Sequence, residues 1–202
     1  MEPKQLLPLE ALASYTYLSG VNLSSDGRFC AYVGHQGNLE DNSYSSDLWV
    51  YAMQDPQNQP KKLTQSGKAA SFIWLKESNC MIYPSTKDEK VKKAVESGEP
   101  LTVFYRIDPL GGESEELFRL QYKVVTIEAI DDDRFLVLAN EHPDYERFRQ
   151  SNKAKRLEIL SEWKEENDYE VIEEIPFWSN GGTFTRGSRN QLFLYTRSKN
   201  EM

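Results

Sequence analysis

Val21-Asn-Leu-Ser-Ser-Asp-Gly-Arg-Phe-Cys-Ala-Tyr-Val33 is the stretch whose reading decides the fold. Two short β-prone runs flank Ser25-Asp26-Gly27, and Asp-Gly supplies the positive φ needed by a tight turn between antiparallel strands. The stretch predicts a hairpin. Downstream, His35 to Ser46 reads as a polar loop. Asp47-Leu-Trp-Val-Tyr51 suits a third strand through its aromatic and β-branched content, Gln54 to Pro60 reads as a turn, and Lys62-Leu-Thr64 reads as a short outer strand.

The same order returns along the chain. Phe72-Ile-Trp-Leu75 leads through Lys76-Glu-Ser-Asn79 to Cys80-Met-Ile-Tyr83. Leu101-Thr-Val-Phe-Tyr-Arg-Ile107 and Glu116-Leu-Phe-Arg-Leu120, joined at Asp108 to Gly112, supply the third and fourth strands of that unit. A third copy begins at Lys123-Val-Val-Thr-Ile127, turns at Asp131-Asp132-Asp133 and continues through Arg134 to Ala139. A fourth is expected from about Phe177, reaching Gln191-Leu-Phe-Leu-Tyr-Thr196. Anchors at Asp26, Glu77, Asp131 and Arg189 lie 51, 54 and 58 residues apart, and Tyr32, Tyr83, Val137 and Tyr195 each follow their anchor by six.

Four short strands repeated at this period predict an all-β fold, a partial β-propeller of about three and a half blades. The boundaries are about 20–65, 70–121 and 123–176, with the start of a fourth blade at 177–202. A β-sandwich has similar strand count and spacing and stays open as the alternative. Between Asn140 and Asp168 the β pattern lapses, and Phe148, Leu157, Leu160 and Trp163 recur at helical spacing. One or two short helices are therefore expected at 143–166, inserted between the second and third strands of the third blade. Leu7 to Leu18 is a further helical candidate, and Lys87 to Gly98 reads as a short helix or a loop.

Composition narrows the function classes. The 202 residues carry a net charge of -8, which repels a phosphate backbone, so nucleic acid is not an expected partner. No run reaches the roughly 18 apolar residues of a membrane span, and Met1 to Glu10 lacks the apolar stretch of a secretory signal, so a cytoplasmic location is expected. Cys30 and Cys80 do not make a disulfide framework. In the repeat alignment their side chains leave on opposite faces, so no bridge is expected between them.

Chemistry-bearing patterns are sparse. The only histidines, His35 and His142, sit in expected loops with no companion at metal-ligand spacing, so no metal or cofactor is expected. Gly112-Glu-Ser-Glu-Glu116 lacks the second glycine of a nucleophile elbow and joins two strands, which makes it a turn. No catalytic residue is assigned within the chain. Among the acidic pairs, Glu165 and Glu166 stand out: two carboxylates on a helical insertion at a rim are suited to holding a substrate's ammonium group.

Three stretches carry a resemblance to a known family. Leu23 to Val33 is similar to the first-blade pattern of the prolyl oligopeptidase family, in its acylaminoacyl peptidase and dipeptidyl aminopeptidase branch, with Ser25 standing where proline is usual. Asp47 to Tyr51 with Lys62 to Thr64 matches the second half of that blade. Asp168 to Trp178, Asn180 to Arg189 and Leu192 to Tyr195 resemble the stretch after the family's helical insertion.

The resemblance implies a propeller that limits access to short peptides and precedes an α/β-hydrolase domain holding the catalytic serine, aspartate and histidine. Nothing in the chain corresponds to that hydrolase domain. The expected role is the non-catalytic propeller portion of a serine peptidase that gates and orients short peptides. The alternative is a free-standing protein-interaction module. The expected partners are short peptides, the chain's own hydrolase domain, or a second copy of the chain through self-association of the uncovered blade edges.

Overall fold

The computed structural model describes residues 11–40, 42–54, 59–165 and 187–202. The chain divides into two compact units, residues 1–87 with 104–117, and residues 88–103 with 118–202. Among the described residues the strands form three antiparallel sheets that follow one another in chain order.

The first sheet belongs to the first unit. Its strands β1 (Thr16–Leu23), β2 (Phe29–Asn38), β3 (Ser43–Ala52) and β4 (Lys61–Lys62) lie in sequential order. The turn between β1 and β2 forms because the Asp26 carboxylate accepts the Ser24 hydroxyl at 2.7 Å, the Arg28 N–H at 3.0 Å and the Arg28 side chain at 2.5 Å. Those bonds, led by the one from the Arg28 backbone, lower the Asp26 pKa to about 2. Gly27 sits at φ +68°, where a β-carbon would be strained.

Two expectations are corrected in this sheet. His35 to Ser46 is not a loop: β2 and β3 stay paired out to Asn38 and Ser43, with His35 opposite Ser46. Backbone pairing requires no apolar side chain, and polar residues on a hairpin arm face solvent without cost. Leu7 to Leu18 is not one helix either. Helix α1 is a single turn, Ala11–Ser14, and β1 begins at Thr16, while residues before Ala11 lie outside the described part. Tyr17 and Leu18 are drawn into a strand by pairing with β2, which outweighs a weak local helical preference.

The buried side of this sheet holds Ala31, Val33, Leu48 and Val50. Asp47, buried beside them, is fully partnered. It accepts from the Thr64 hydroxyl at 2.8 Å and the Gly67 N–H at 3.0 Å, and it pairs with Lys62 at 2.9 Å.

The second sheet runs β5 (Ile73–Trp74), β6 (Met81–Pro84), β7 (Thr102–Ile107) and β8 (Glu115–Leu120). Between β6 and β7 lies α2 (Glu89–Glu96), the helical option of the Lys87–Gly98 reading. It starts where it does because the Asp88 carboxylate accepts the N–H groups of Lys90 and Val91.

The third sheet lies in the second unit and contains β9 (Lys123–Ala129), β10 (Arg134–Glu141) and β11 (Arg189–Thr196), in the order β11-β10-β9. Asp131 repeats the device of Asp26, accepting from the N–H groups of Asp133 and Arg134 and from the Arg134 side chain.

The strand read as belonging to a fourth copy, aligned with the second strands at Tyr32 and Tyr83, pairs instead with β10. Gln191 to Thr196 lies within β11, paired along its length with β10, Phe135 opposite Tyr195. The alternation Leu-Phe-Leu-Tyr is the same for a second or a third strand of a unit, so local pattern does not distinguish them. The proposed start of that copy, near Phe177, lies outside the described residues. Phe118, Phe135 and Tyr195 form one aromatic cluster, with ring centroids 5.0 to 6.3 Å apart.

Two helices, α3 (Pro143–Gln150) and α4 (Lys153–Glu165), lie between β10 and β11 in the chain. Pro143 opens α3, and the ring of His142 accepts the Asp144 N–H as its cap. Of the one or two helices expected at 143–166 the structure has two, parted at Ser151 and Asn152, so Phe148 does not share one helical phase with Leu157, Leu160 and Trp163. Phe148 and Ile159 are fully buried, whereas Leu157 is 62% exposed. Trp163 returns to pack on Tyr145 and Phe148, at centroid distances of 5.5 and 5.4 Å. Arg149 anchors α3 to β10 through a two-point pair with Glu141, at 3.0 and 2.7 Å, and stacks over Tyr122 at 4.2 Å.

Candidate functional site

Glu165 is the last residue of α4 and is exposed, and Glu166 lies outside the described residues. The histidines depart from the sequence expectation. His35 sits in β2, where its Nε2 is 2.6 Å from the Ser19 hydroxyl and its Nδ1 is 2.8 Å from the Ser46 hydroxyl. This forms a hydrogen-bonded row across β1, β2 and β3. Its Nδ1 meets a hydroxyl where a hydrolytic triad would present a carboxylate. His142 is occupied in capping α3. Among the described residues no group of three or more His, Cys, Asp or Glu is placed to hold a metal ion.

The tryptophans divide between packing and the undescribed region. Trp74 is buried and donates its ring N–H to the Asn22 carbonyl at 3.3 Å, while Trp49 stacks on Tyr32. Trp178 lies outside the described residues. Both cysteines are free, and Cys80, buried, accepts from Arg106 at 3.2 Å.

Within the first unit, three side chains meet that sequence reading did not bring together. Gly112 to Glu116 forms the connection from β7 into β8, and the hydroxyl of Ser114 in it accepts from Tyr83 on β6 at 2.7 Å. Lys87, one residue before the α2 cap, donates to the same Ser114 oxygen and to the Ser114 carbonyl, the latter at 2.9 Å. Its ammonium lies 4.2 Å above the centre of the Tyr105 ring on β7.

Tyr83 is buried, whereas Ser114 and Lys87 are half-buried and reach solvent on one side. Partial desolvation lowers the Lys87 pKa, opposed by the nearby Glu113 carboxylate, and desolvation raises that of Tyr83. A hydroxyl, an amine that gives up its proton more readily than usual, and a phenol held neutral share one oxygen. Lys87 carried no signal in the sequence. Ser114 did, as the centre of a near-miss nucleophile motif, but its partner is twenty-seven residues upstream and reaches it only through strand pairing.

What the fold defines is a class: consecutive antiparallel sheets strung in chain order, with two helices between β10 and β11 among the described residues. No family model matches the chain, and no curated protein matches it. Solved structures do. Acylaminoacyl peptidase in complex with Z-Gly-Gly-Phe-chloromethyl ketone superposes with a TM-score of 0.64 at 14% identity, covering 95% of this chain and 25% of that one. The Pyrococcus horikoshii acylaminoacyl peptidase gives 0.61 at 14% identity, covering 93% and 24%. The AtxE2 isopeptidase gives 0.51 at 14% identity, covering 90% and 28%. The resemblance read from the sequence thus recurs in three dimensions. The chain spans about a quarter of the length of these peptidases, and what it shares with them is the fold.

Among the described residues, no helix is long and apolar enough to cross a membrane.

Proposed function

We propose that the chain is the propeller portion of a prolyl oligopeptidase-type serine peptidase, limiting and orienting short peptides for an α/β-hydrolase domain that these 202 residues do not contain. The observation that carries this reading is the match to acylaminoacyl peptidase over 95% of the chain, in keeping with the motif resemblance around Asp26 and Asp47. A propeller over a hydrolase entrance would act as a sieve: it admits a peptide thin enough to thread and excludes a folded chain.

In the parent polypeptide this predicts cleavage of short peptides and sparing of folded proteins, with the second property lost when the sheets are loosened by a core substitution such as Val137→Asp. Equal cleavage of folded substrates by the unaltered polypeptide would end the reading. Glu165 and Glu166 are proposed to hold the peptide ammonium. Replacing both by Gln raises KM for free-amine peptides and leaves N-acylated peptides unaffected, and an unchanged KM would remove them from that role.

A further inference from the structure

We propose that Ser114 and Lys87 form a serine–lysine pair that accepts an acyl group from an activated ester, an acyl-transfer site separate from any peptidase chemistry of a parent enzyme. The geometry meets the requirements of an activated nucleophile: nucleophile and base in direct hydrogen-bond contact, with a third group fixing the arrangement. Lys87 touches the Ser114 oxygen directly and is pinned by the Ser114 carbonyl at 2.9 Å and by the Tyr105 ring at 4.2 Å. Tyr83 donates to the same oxygen at 2.7 Å, which fixes where its remaining lone pair points.

With Lys87 protonated, the amine donates and Ser114 is inert. Once Lys87 loses its proton to solvent, its lone pair faces the Ser114 O–H and the direction of the bond reverses. Ser114 Oγ then forms a bond to the acyl carbon while its proton passes to Lys87 Nζ. The acyl–oxygen bond of the ester breaks, and its electron pair leaves with the 4-nitrophenolate anion. The products are acyl-Ser114, the Lys87 ammonium and free phenolate, so no further reactant is needed. A phenolate departs without being protonated, which restricts the chemistry to activated esters and excludes unactivated amides.

The groups facing Lys87 are Tyr83 from β6, Tyr105 from β7, and Glu113 with Ser114 from the connection to β8. Desolvation outweighs the Glu113 carboxylate, so the neutral amine is reached at a lower pH than for a solvated lysine. Acylation therefore rises with pH through a midpoint below that of ordinary lysine.

The experiment treats the whole chain with 4-nitrophenyl acetate, follows phenolate release across pH and locates the acetyl group by peptide mass mapping. The expected result is one acetyl on Ser114, absent from Ser114→Ala. Lys87→Arg keeps the charge and the donor contacts but cannot act as a base, so its rate falls about a hundredfold or more and its pH rise disappears. Both variants are compared at equal thermal stability, and mapping on the unaltered chain decides the matter even where a variant fails to fold. Acetyl on Lys87 itself, acetyl scattered over surface lysines, or undiminished labelling of Ser114 in Lys87→Arg overturns the proposal.

Discussion

Phe135 and Tyr195 lie directly opposite one another in β10 and β11, with ring centroids 6.3 Å apart and interplanar angle 31°. Both also touch Phe118, at 5.2 and 5.0 Å. Phe135 is 0% and Tyr195 1% exposed. Replacing either by Leu keeps most of the buried apolar volume and removes the ring, at about 2 kcal/mol each. Aromatic pairs in this distance range are coupled by about 0.5–1.5 kcal/mol beyond their burial.

The double variant should therefore lose about 3 kcal/mol, where two independent losses would reach about 4. Urea unfolding of the four proteins, followed by far-ultraviolet circular dichroism and tryptophan fluorescence, measures the cycle. The coupling is the thermodynamic signature of β11 belonging to the third sheet. Additivity within about 0.3 kcal/mol would separate the two rings and refute that topology.

Gly27→Ala, forcing a β-carbon into φ +68°, should cost about 1–2 kcal/mol, and Gly27→Asn less, read as a shift in the urea midpoint. Arg149→Met leaves the Glu141 carboxylate in a largely buried position without its two-point partner. The expected loss is about 3 kcal/mol, with Arg149→Lys recovering only part, because a single ammonium cannot make both contacts. Asp26 has a folded pKa of about 2 against the model-peptide 3.8, so its contribution to stability is complete above 3.8 and is lost as pH falls through about 2. Asp26→Asn should flatten this acid limb, and an unchanged limb would contradict the turn geometry. Carbon-detected NMR titration of the Asp26 carboxyl checks the midpoint directly.

Hairpin turns were readable in the sequence because their causes are local. Asp26 and Gly27 act on atoms within a few residues, and the Asp131 turn reuses the same contacts. The helices between β10 and β11 were readable as a lapse in β alternation, although their break at Ser151 and Asn152 was not, since polar residues suit a helix face as well as a gap. The His35–Ser46 segment was misread because its strand character comes from a paired neighbour and not from its own side chains.

Amino-acid order by itself determined the repeated antiparallel hairpins, the interruption near residue 143 and the resemblance to peptidase propellers, because each rests on spacing within one element or one turn. Only tertiary structure decided that Arg189–Thr196 pairs with β10 in the third sheet, that His35 bridges two serines, and that Lys87 meets Ser114. Those outcomes depend on which strand lies beside which. Strand pairing is settled by backbone hydrogen bonds and burial between segments far apart in the chain, and it leaves no mark on the residues next to it in sequence.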